Sequence, residues 1–344
     1  MIDKICTKCM IKKIYEHLNI DFFSKNASIF KPMGGNFINT YKLYNPQNYS
    51  SGVFLRVEYS DRCLKIEGSI RKWGLAEHSL KDTLRDLTAQ EYESAILLLF
   101  LCLNIDKKYM KYFDISYIEI GMNINVKTSC DNILDKINGF RDANYIDRST
   151  VDYKKYKTNF FEATAYDKKG EIAEPLKKKH IKTIEQDTFL KDNRSFLRVE
   201  FKVRGGKARV KDRLGLDNLQ ETIDCYALFY VFFWENICEI IYNDIESNDF
   251  TFDADGMSQK KFREAITFTG ANAIGRERIN KMASKTEYPR SVRMMIKEIL
   301  KNSPAKNPPY TMKNFFNGIR IAMYKSMKKS DMMYLFKEGY RLST

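Results

Sequence analysis

Three short segments of this chain combine a tyrosine, a lysine and carboxylates in patterns typical of strands. They are YIEIGMN at 117–123, FEATAYDKKGE at 161–171 and FLRVEFKVRGG at 196–206. Polar and apolar side chains alternate through much of each segment, so the polar ones share one face of a strand. The residues that could do chemistry together are Tyr166, Lys168, Glu119 and Glu200. Phosphodiester transfer through a covalent tyrosine needs such a set.

A tyrosine needs help to attack a phosphate, because a phenol has a pKa of about 10 and is a weak nucleophile at neutral pH. A divalent cation must polarise the scissile phosphate and neutralise charge on its oxygens. Hard Mg²⁺ or Mn²⁺ takes carboxylate oxygens as ligands, which makes Glu119 and Glu200 the candidate metal ligands. Lys168 is expected either to hold the phosphate or to lower the pKa of the phenol.

Other metal-binding patterns fit the sequence less well. The chain has no His-x-His pair, and its three histidines, His17, His78 and His180, are isolated. Chelation by paired histidines is therefore excluded. Cys6 and Cys9 form a lone CxxC without a second pair, and alternating residues of an N-terminal strand explain this spacing better than a zinc site.

The same three segments carry a family resemblance. Ile118-Glu119, Tyr166 with Lys168 and Glu171, and Arg198-Val199-Glu200 resemble, in order and spacing, motifs of the filamentous bacteriophage gene II replication protein family, which are rolling-circle replication initiator endonucleases. MIDK at the start, NYSSGVFLRVEY at 48–59, CLKIEGS at 63–69 and ARVKDRLGL at 208–216 extend the likeness over roughly residues 1–220. The chain departs from the family pattern in having Glu119 for the usual aspartate and Tyr117 where arginine is common.

The resemblance implies an origin-specific nickase and strand transferase. Tyr166 would attack the phosphate and become joined to the DNA 5′ end, leaving a 3′ hydroxyl for a polymerase to extend. Lys168 would stabilise the phosphate, and Glu119 and Glu200 would bind the metal or support its ligands. The implied partners are a double-stranded origin and the displaced single strand, with a host helicase or polymerase as a further candidate.

Two alternatives remain open. A plasmid mobilisation relaxase or plasmid replication initiator would use the same tyrosine chemistry and would differ in the topology of its substrate. A non-catalytic DNA-binding regulator, built on a decayed nuclease, would bind DNA without nicking it.

The distribution of charge also favours a polyanionic partner. The formal net charge is +14 and the pI is about 9.2. Residues 257–344 hold 19 Lys and Arg against 6 Asp and Glu, residues 166–213 hold 15 against 8, and residues 217–255 hold ten acidic residues and no Lys or Arg. Solvated charge on ordinary helices explains the total, but explains this segregation less easily. The predicted DNA contacts, to phosphates rather than bases, are Arg198, Lys202, Arg204, Lys207, Arg209, Lys211 and Arg213.

Alternating and helical patterns predict the elements that position these residues. Strands are expected at 53–59, 63–69, 116–126, 159–166 and 196–204. Helices are expected at 80–103, with a break near Thr88 that resembles an N-cap, at 130–141 and at 214–245. A turn-rich segment at 246–256 precedes a basic, helical remainder that Ser258 could cap and in which Pro304, Pro308 and Pro309 mark a loop.

We therefore expect an α+β fold, in which a mostly antiparallel sheet nuclease domain flanked by helices is followed by a basic helical domain. The predicted boundaries are 1–250 for the replication endonuclease and 251–344 for the DNA-binding domain. Aromatic residues of the second domain could either stack on bases or form its core; they are Phe262, Phe268, Tyr310, Phe315, Phe316 and Tyr324.

The sequence also bears on the compartment. The longest apolar run, Ala95 to Leu103, is about half of the roughly 20 residues that a membrane span requires. The N-terminal residues have no secretory pattern, since lysines interrupt them. Seven cysteines in such a chain are typical of reduced thiols. We expect a cytoplasmic protein with no membrane partner.

Overall fold

A computed structural model describes most of the first 242 residues and one later helix. The described residues are 1–10, 20–34, 39–47, 52–60, 62–75, 80, 84–126, 129–140, 144–145, 153–158, 161–179, 182–242 and 312–327.

A large antiparallel sheet runs through the described part of the chain. Its ten strands lie in the order β2-β3-β4-β5-β1-β6-β11-β10-β9-β8, and each neighbouring pair is antiparallel. The strands are β1 (Ile2–Met10), β2 (Phe30–Pro32), β3 (Thr40–Tyr44), β4 (Phe54–Tyr59), β5 (Cys63–Ser69), β6 (Phe113–Val126), β8 (Asn144–Tyr145), β9 (Tyr153–Lys157), β10 (Phe161–Asp167) and β11 (Ser195–Val203). A separate two-stranded sheet pairs β7 (Ile137–Phe140) with β12 (Ile240–Tyr242).

Helices lie between and after the strands. They are α1 (Ile20–Lys25), α2 (Ile70–Leu75), α3 (Ala89–Cys102), α4 (Cys130–Leu134), α5 (Lys168–Lys177), α6 (Ile184–Lys191), α7 (Lys207–Leu214), α8 (Leu219–Asp224), α9 (Leu228–Ile237) and α10 (Met312–Ser326), with a 3₁₀ segment at Lys107–Tyr112. The prediction of an α+β fold with a mostly antiparallel sheet is confirmed. None of the helices among the described residues is both long enough and apolar enough to cross a lipid bilayer.

The two faces of the sheet have different neighbours. The apolar side chains of β6, β10 and β11 enter one large core together with residues of α3, α8, α9 and α10. A small second cluster, built from Leu84, Ala173, Leu176 and Phe189, packs against Phe196 of β11. Since Phe196 alternates with the core residues of its strand, this cluster covers part of the opposite, polar face. That cover buries polar residues which the sequence pattern alone would place in solvent.

The strand predictions are accurate to within three residues at each described end, but the helix predictions are less so. The N-cap predicted at Thr88 is confirmed, because Thr88 and Glu91 form a reciprocal capping box at the start of α3. Of the helix predicted at 80–103, only Ala89–Cys102 is α-helical. The described residues between positions 80 and 87 are not α-helical.

The helix predicted at 130–141 is wrong in its second half. Helix α4 ends at Leu134, and Ile137–Phe140 instead pairs with β12. The hydroxyl of Tyr156 also donates a hydrogen bond to the Ile137 carbonyl oxygen. The spacing of the apolar residues suits either a helix or a strand. Pairing with β12 makes this segment a strand.

The single helix predicted at 214–245 is also wrong. Gly215, in the left-handed region at φ 69°, ends α7, and Asn218 caps the start of α8. A turn at Cys225–Ala227 separates α8 from α9, and β12 follows. Apolar residues recur almost without interruption through these breaks, so the sequence pattern did not show where one helix ends and the next begins.

The predicted second domain is described only at residues 312–327. Here Phe315, Ile319 and Met323 of α10 join the main core, and Phe316 contacts Trp234 with ring centroids 6.1 Å apart. Phe315 is therefore a core residue and not a base-stacking one. The turn at 246–256, Ser258, the three prolines, Phe262, Phe268 and Tyr310 lie outside the described residues, as does the side chain of Tyr324. The domain boundary at residue 250 stays a prediction.

Candidate metal and tyrosine site

The polar residues of the three key segments form neighbouring rows across β6, β11 and β10. Glu119 pairs with Lys202, which pairs with Glu162. In the next row, Gly121 pairs with Glu200, and Glu200 with Thr164. In the third, Asn123 pairs with Arg198, and Arg198 with Tyr166. The sheet register thus brings together Glu119, Glu200 and Tyr166, which are far apart in sequence.

A third carboxylate joins Glu119 and Glu200. A register shift between Ile2 and Lys4 interrupts the pairing of β1 with β6 at Asp3. One carboxylate oxygen each of Asp3, Glu119 and Glu200 lies within 4.8 Å of the others, and all three residues are buried. This acidic trio is a geometry that a divalent cation could use. Asp3 was missed as a site residue, although it belongs to the MIDK segment noted in the sequence.

Arg198 binds two members of the acidic trio, Glu200 and Asp3. Its Nε donates to Glu200 Oε1 at 2.7 Å, and its Nη2 donates to Asp3. Its Nη1 donates to Asp86 Oδ1 at 3.0 Å and to the Asn123 side chain at 2.9 Å. The prediction of Arg198 as a DNA contact is corrected, because this side chain is 0% exposed and its nitrogens bind other groups of the protein. Asp86 had no motif to mark it in the sequence.

Lys202 lies between three carboxylates and is half-buried. Its ammonium is 3.4 Å from Glu119 Oε2, 3.3 Å from Glu200 Oε2 and 3.5 Å from Glu162 Oε1. Burial lowers the pKa of Lys202, but these carboxylates outweigh burial and raise it above the usual value. Lys202 therefore stays charged and neutralises the acidic cluster. Its predicted role as a DNA contact stays a prediction.

The acidic trio is unevenly neutralised. Burial by itself raises the pKa of Asp3 and of Glu200, but Arg198 reverses this and holds both below their usual values. Glu119 differs, because burial and then the charges of Glu200 and Asp3 raise its pKa to about 7. The site thus carries one carboxylate whose negative charge is poorly compensated by the protein. A bound cation would compensate it, so the three carboxylates could hold a metal ion.

Tyr166 lies beside this cluster at the end of β10. Its hydroxyl donates a hydrogen bond to Glu200 Oε1 at 2.9 Å, and its ring centroid is 5.9 Å from that of Tyr153. The side chain is half-buried rather than enclosed in apolar packing. The hydroxyl of Thr164, in the same strand, has no hydrogen-bond partner among the described residues.

Lys168 begins the helix that follows the tyrosine. Asp167 caps α5, so Tyr166 and Lys168 flank a strand-to-helix junction. The Lys168 ammonium is 5.7 Å from the centre of the Tyr166 ring and binds Glu171 Oε2 at 2.6 Å. Burial and then the charge of Glu200 raise the pKa of Tyr166, and the opposing charge is that of Arg198 rather than Lys168. The phenol is therefore protonated in this arrangement.

The other predicted DNA contacts lie beyond Lys202 along the chain. Arg204 is half-buried and pairs with Glu162, whereas the four basic residues of α7 are exposed. Three of the four form ion pairs with exposed or half-exposed aspartates, which leave their charged groups open to solvent. The exposed residues are Lys207, Arg209, Lys211 and Arg213.

Comparison with known proteins adds no family. No protein-family model matches the chain, and no curated protein matches it. The resemblance to the gene II family is carried by the motifs quoted from this sequence and by no wider match.

Proposed function

We propose that this chain is a metal-dependent DNA nickase and strand transferase of the rolling-circle type, with Tyr166 as the nucleophile. The observation that carries the proposal is the 2.9 Å hydrogen bond from the Tyr166 hydroxyl to Glu200, a member of the buried acidic trio. A nucleophile and candidate metal ligands thus lie in direct contact. In the proposed role, Asp3, Glu119 and Glu200 hold Mg²⁺ or Mn²⁺, which supplies charge neutralisation at the scissile phosphate.

The residues of the chain have defined tasks in the cut. The Tyr166 oxygen attacks the phosphorus, the bond from phosphorus to the 3′ oxygen breaks, and the DNA 5′ end becomes linked to the tyrosine. Glu200, which already accepts the phenol hydrogen bond, takes the proton. The other side of the nick is left with a 3′ oxygen, which takes a proton from solvent and becomes a free 3′ hydroxyl. Lys168, beside the ring, is placed to contact a phosphate if its bond to Glu171 opens.

A basic edge of the same face supports a nucleic-acid substrate. In β9, Tyr153 pairs with Tyr166 and Lys155 pairs with Thr164, so their side chains share the face that carries the site. Lys157 follows on the same face and is exposed. Lys155 binds the buried carboxylate of Glu162 at 2.9 Å, so Lys157 and the exposed cations of α7 would contact phosphates, while the Tyr153 ring could stack on a base.

The test is covalent capture of DNA. A pool of random single-stranded oligonucleotides, labelled at the 3′ end, is incubated with the protein and Mn²⁺ and resolved on a denaturing gel. We expect label on the protein, mapped by mass spectrometry to Tyr166, because the captured fragment keeps its 3′ end. Tyr166→Phe should lose that adduct, whereas the matched variant Tyr109→Phe, at a half-buried tyrosine of the 3₁₀ segment, keeps it.

Other outcomes separate the alternatives. DNA binding by the wild type without any adduct would overturn the nickase and favour the non-catalytic regulator. An adduct formed equally well with EDTA present would exclude the role of the cation. Sequencing of the captured oligonucleotides then gives the cleavage site for assays on supercoiled circular DNA.

A further inference from the structure

A row of like-charged side chains crosses the strands at one end of the large sheet. Lys31 of β2 lies directly opposite Lys42 of β3, and Lys42 lies directly opposite Arg56 of β4; these three form the cation row. Lys8 and Lys65 make a further pair of this kind across β1 and β5. Like charges directly opposite each other in a sheet are destabilising. A bound polyanion would relieve this repulsion, so the arrangement suits a polyanionic ligand.

The cation row lies on the sheet face that carries the acidic trio. Across the strands, the pairing continues from Arg56 to Glu67, then to Cys6 and then to Tyr117. Tyr117 lies two residues before Glu119 on β6, so both point to the same face. The helices α1 and α2 contribute residues to the apolar core and so lie against the other face of these strands. The cation row is therefore continuous with the candidate metal site.

Cations outnumber carboxylates on this part of the face. Apart from Asp3, which Arg198 already binds, the described residues of β1–β5 place six cations and two carboxylates here, a formal net charge of +4. The carboxylates, Glu58 and Glu67, pair with three of the cations at 3.4 to 3.8 Å. All six cations are exposed or half-buried, and together they define the basic sheet face. They are Lys4, Lys8, Lys31, Lys42, Arg56 and Lys65.

Aromatic rings lie among these cations. Tyr44 and Phe54 are directly opposite each other on β3 and β4, with ring centroids 5.8 Å apart, and both are half-buried. The Lys42 ammonium lies 5.0 Å from the centre of the Phe54 ring. Rings interleaved with cations suit a single strand, whose unpaired bases stack on the rings while its phosphates contact the cations. The rings therefore favour single-stranded DNA over a duplex, whose bases already stack on one another.

The position of Tyr166 indicates which part of the strand would reach the basic sheet face. Tyr166 lies on β10, the acidic trio lies on β11, β6 and β1, and the strands β5, β4, β3 and β2 follow on the far side. In phosphoryl transfer the attacking and leaving oxygens are roughly in line through phosphorus. With the phosphate at the trio, attack from β10 therefore directs the leaving 3′ oxygen toward β5. Strand β3 lies four strands from β6, about 19 Å at the usual spacing, so several nucleotides would cross this face.

We propose that the basic sheet face binds single-stranded DNA on the 5′ side of the cut and keeps the new 3′ end on the protein; this inference rests on the proposed function of Tyr166. Phosphates of that segment contact the cation row, and a base stacks on Tyr44 and Phe54. The two DNA ends are then held differently, one by the ester at Tyr166 and the other by non-covalent contacts. Only the second attachment weakens as salt is added.

The test measures binding of each side of the cut separately. The two sequences come from the captured fragments and from the shorter, released ones. A fluorescent upstream oligonucleotide ends at the cut in a 3′ hydroxyl, and a downstream one begins there with a 5′ phosphate. Fluorescence anisotropy at one salt concentration gives the affinity of each. We expect Lys31→Ala with Lys42→Ala to weaken upstream binding by about tenfold and downstream binding by less than about twofold.

A second pair of lysines gives the control. Lys177→Ala with Lys178→Ala removes two exposed cations of α5 and should leave both affinities unchanged. Misfolding does not imitate the expected result, because Lys31→Ala with Lys42→Ala removes like-charge repulsion and should keep or raise the melting temperature. Differential scanning fluorimetry measures that temperature. The variant should also still form the adduct at Tyr166.

The two proposals can fail separately. If Lys31→Ala with Lys42→Ala weakens both oligonucleotides equally, weakens only the downstream one or weakens neither, the basic sheet face does not bind the upstream strand, and the nickase stands. A duplex of the upstream sequence that binds the wild type as tightly as the single strand would overturn the single-stranded ligand. If the wild type forms no adduct at all, the nickase is overturned and side-specific binding with it.

Discussion

At the scale of single residues, the site depends on buried charges that hold one another. Arg198 binds Asp3, Asp86 and Glu200 with no exposure to solvent, so its guanidinium fixes the carboxylates and lowers the pKa of two of the trio, Asp3 and Glu200. The motif Arg-Val-Glu marked Arg198 and Glu200 in the sequence. It did not give their direct contact, because residues two apart in a strand can also point to solvent together.

Replacing Arg198 should be far more damaging than replacing an exposed arginine. Arg198→Met leaves buried carboxylates uncompensated, and we expect the free energy of unfolding to fall by about 3–5 kcal/mol. Arg194→Met breaks only an exposed pair with Asp192 and should cost less than about 1 kcal/mol. Urea denaturation followed by circular dichroism measures both, and equal losses would contradict the buried role of Arg198.

Glu119 should make cation binding depend on pH. Its pKa of about 7 lies above the usual value, so the folded state keeps a proton there that the unfolded state has lost. The stability gained this way is present at low pH and lost as pH rises through 7. A cation needs the ionised form, and it replaces the lost stability at high pH.

We therefore expect Mn²⁺ to raise the melting temperature more at pH 8 than at pH 6, in buffers of matched ionic strength. Glu119→Gln, which keeps the size of the side chain but does not titrate, should reduce the Mn²⁺ effect and remove most of the difference between the two pH values. Differential scanning fluorimetry measures the melting temperature of both proteins, with and without Mn²⁺, at the two pH values. A wild-type shift that is the same at both pH values would contradict the assignment of Glu119.

At the scale of elements, strand register does most of the positioning. The strands β4, β5, β6, β10 and β11 could be predicted because their side chains alternate with a period of two. Which strands far apart in sequence are neighbours could not, since pairing joins Glu200 to Gly121 across a sequence separation of many residues. The bulge at Asp3 was equally hidden, because it depends on how β1 meets β6.

Gly121 lies directly opposite Glu200 of the acidic trio in the pairing of β6 with β11. A Cβ atom there would lie 2.8 Å from Arg198 Nη2 and 3.0 Å from Glu200 Cγ, so Gly121→Ala must displace the residues that shape the acidic trio. We expect weaker Mn²⁺ binding in isothermal titration calorimetry, together with lower stability.

Gly74→Ala is the matched control for Gly121→Ala. Its added methyl would lie 2.6 Å from the Ala95 Cβ, between α2 and α3, and should lower stability without changing Mn²⁺ affinity. Equal Mn²⁺ affinity in the two variants would show that Gly121 does not act on the site.

At the scale of the whole molecule, the sheet separates two kinds of interior. One face enters the large apolar core, and the other carries a charged site partly covered by the cluster of α5 and α6. The charge segregation seen in the sequence predicted basic surfaces correctly at α7, whose cations are exposed. It was wrong for Arg198, because a count of charges does not distinguish a solvated cation from one that neutralises buried carboxylates.

The exposed cations of α7 should make DNA affinity depend on salt. We expect Arg209→Ala with Arg213→Ala to weaken binding of a labelled oligothymidine and to reduce the slope of log affinity against log salt by about 1 for each phosphate that the protein no longer neutralises. Fluorescence anisotropy at several salt concentrations measures the slope. The control pair Lys177→Ala with Lys178→Ala, exposed on α5, should leave it unchanged, and a control slope that falls as much would refute a specific role for α7.

The position of the Lys202 ammonium has a consequence for how such a protein is assembled and stored. Because this side chain already supplies positive charge to Glu119, Glu200 and Glu162, folding does not have to wait for an inorganic ion. A newly synthesised or chelator-treated molecule should hold its native shape in a dormant form. Binding of the proposed cation then requires that the Lys202 side chain move off the oxygens of Glu119 and Glu200, whereas the strands need not refold.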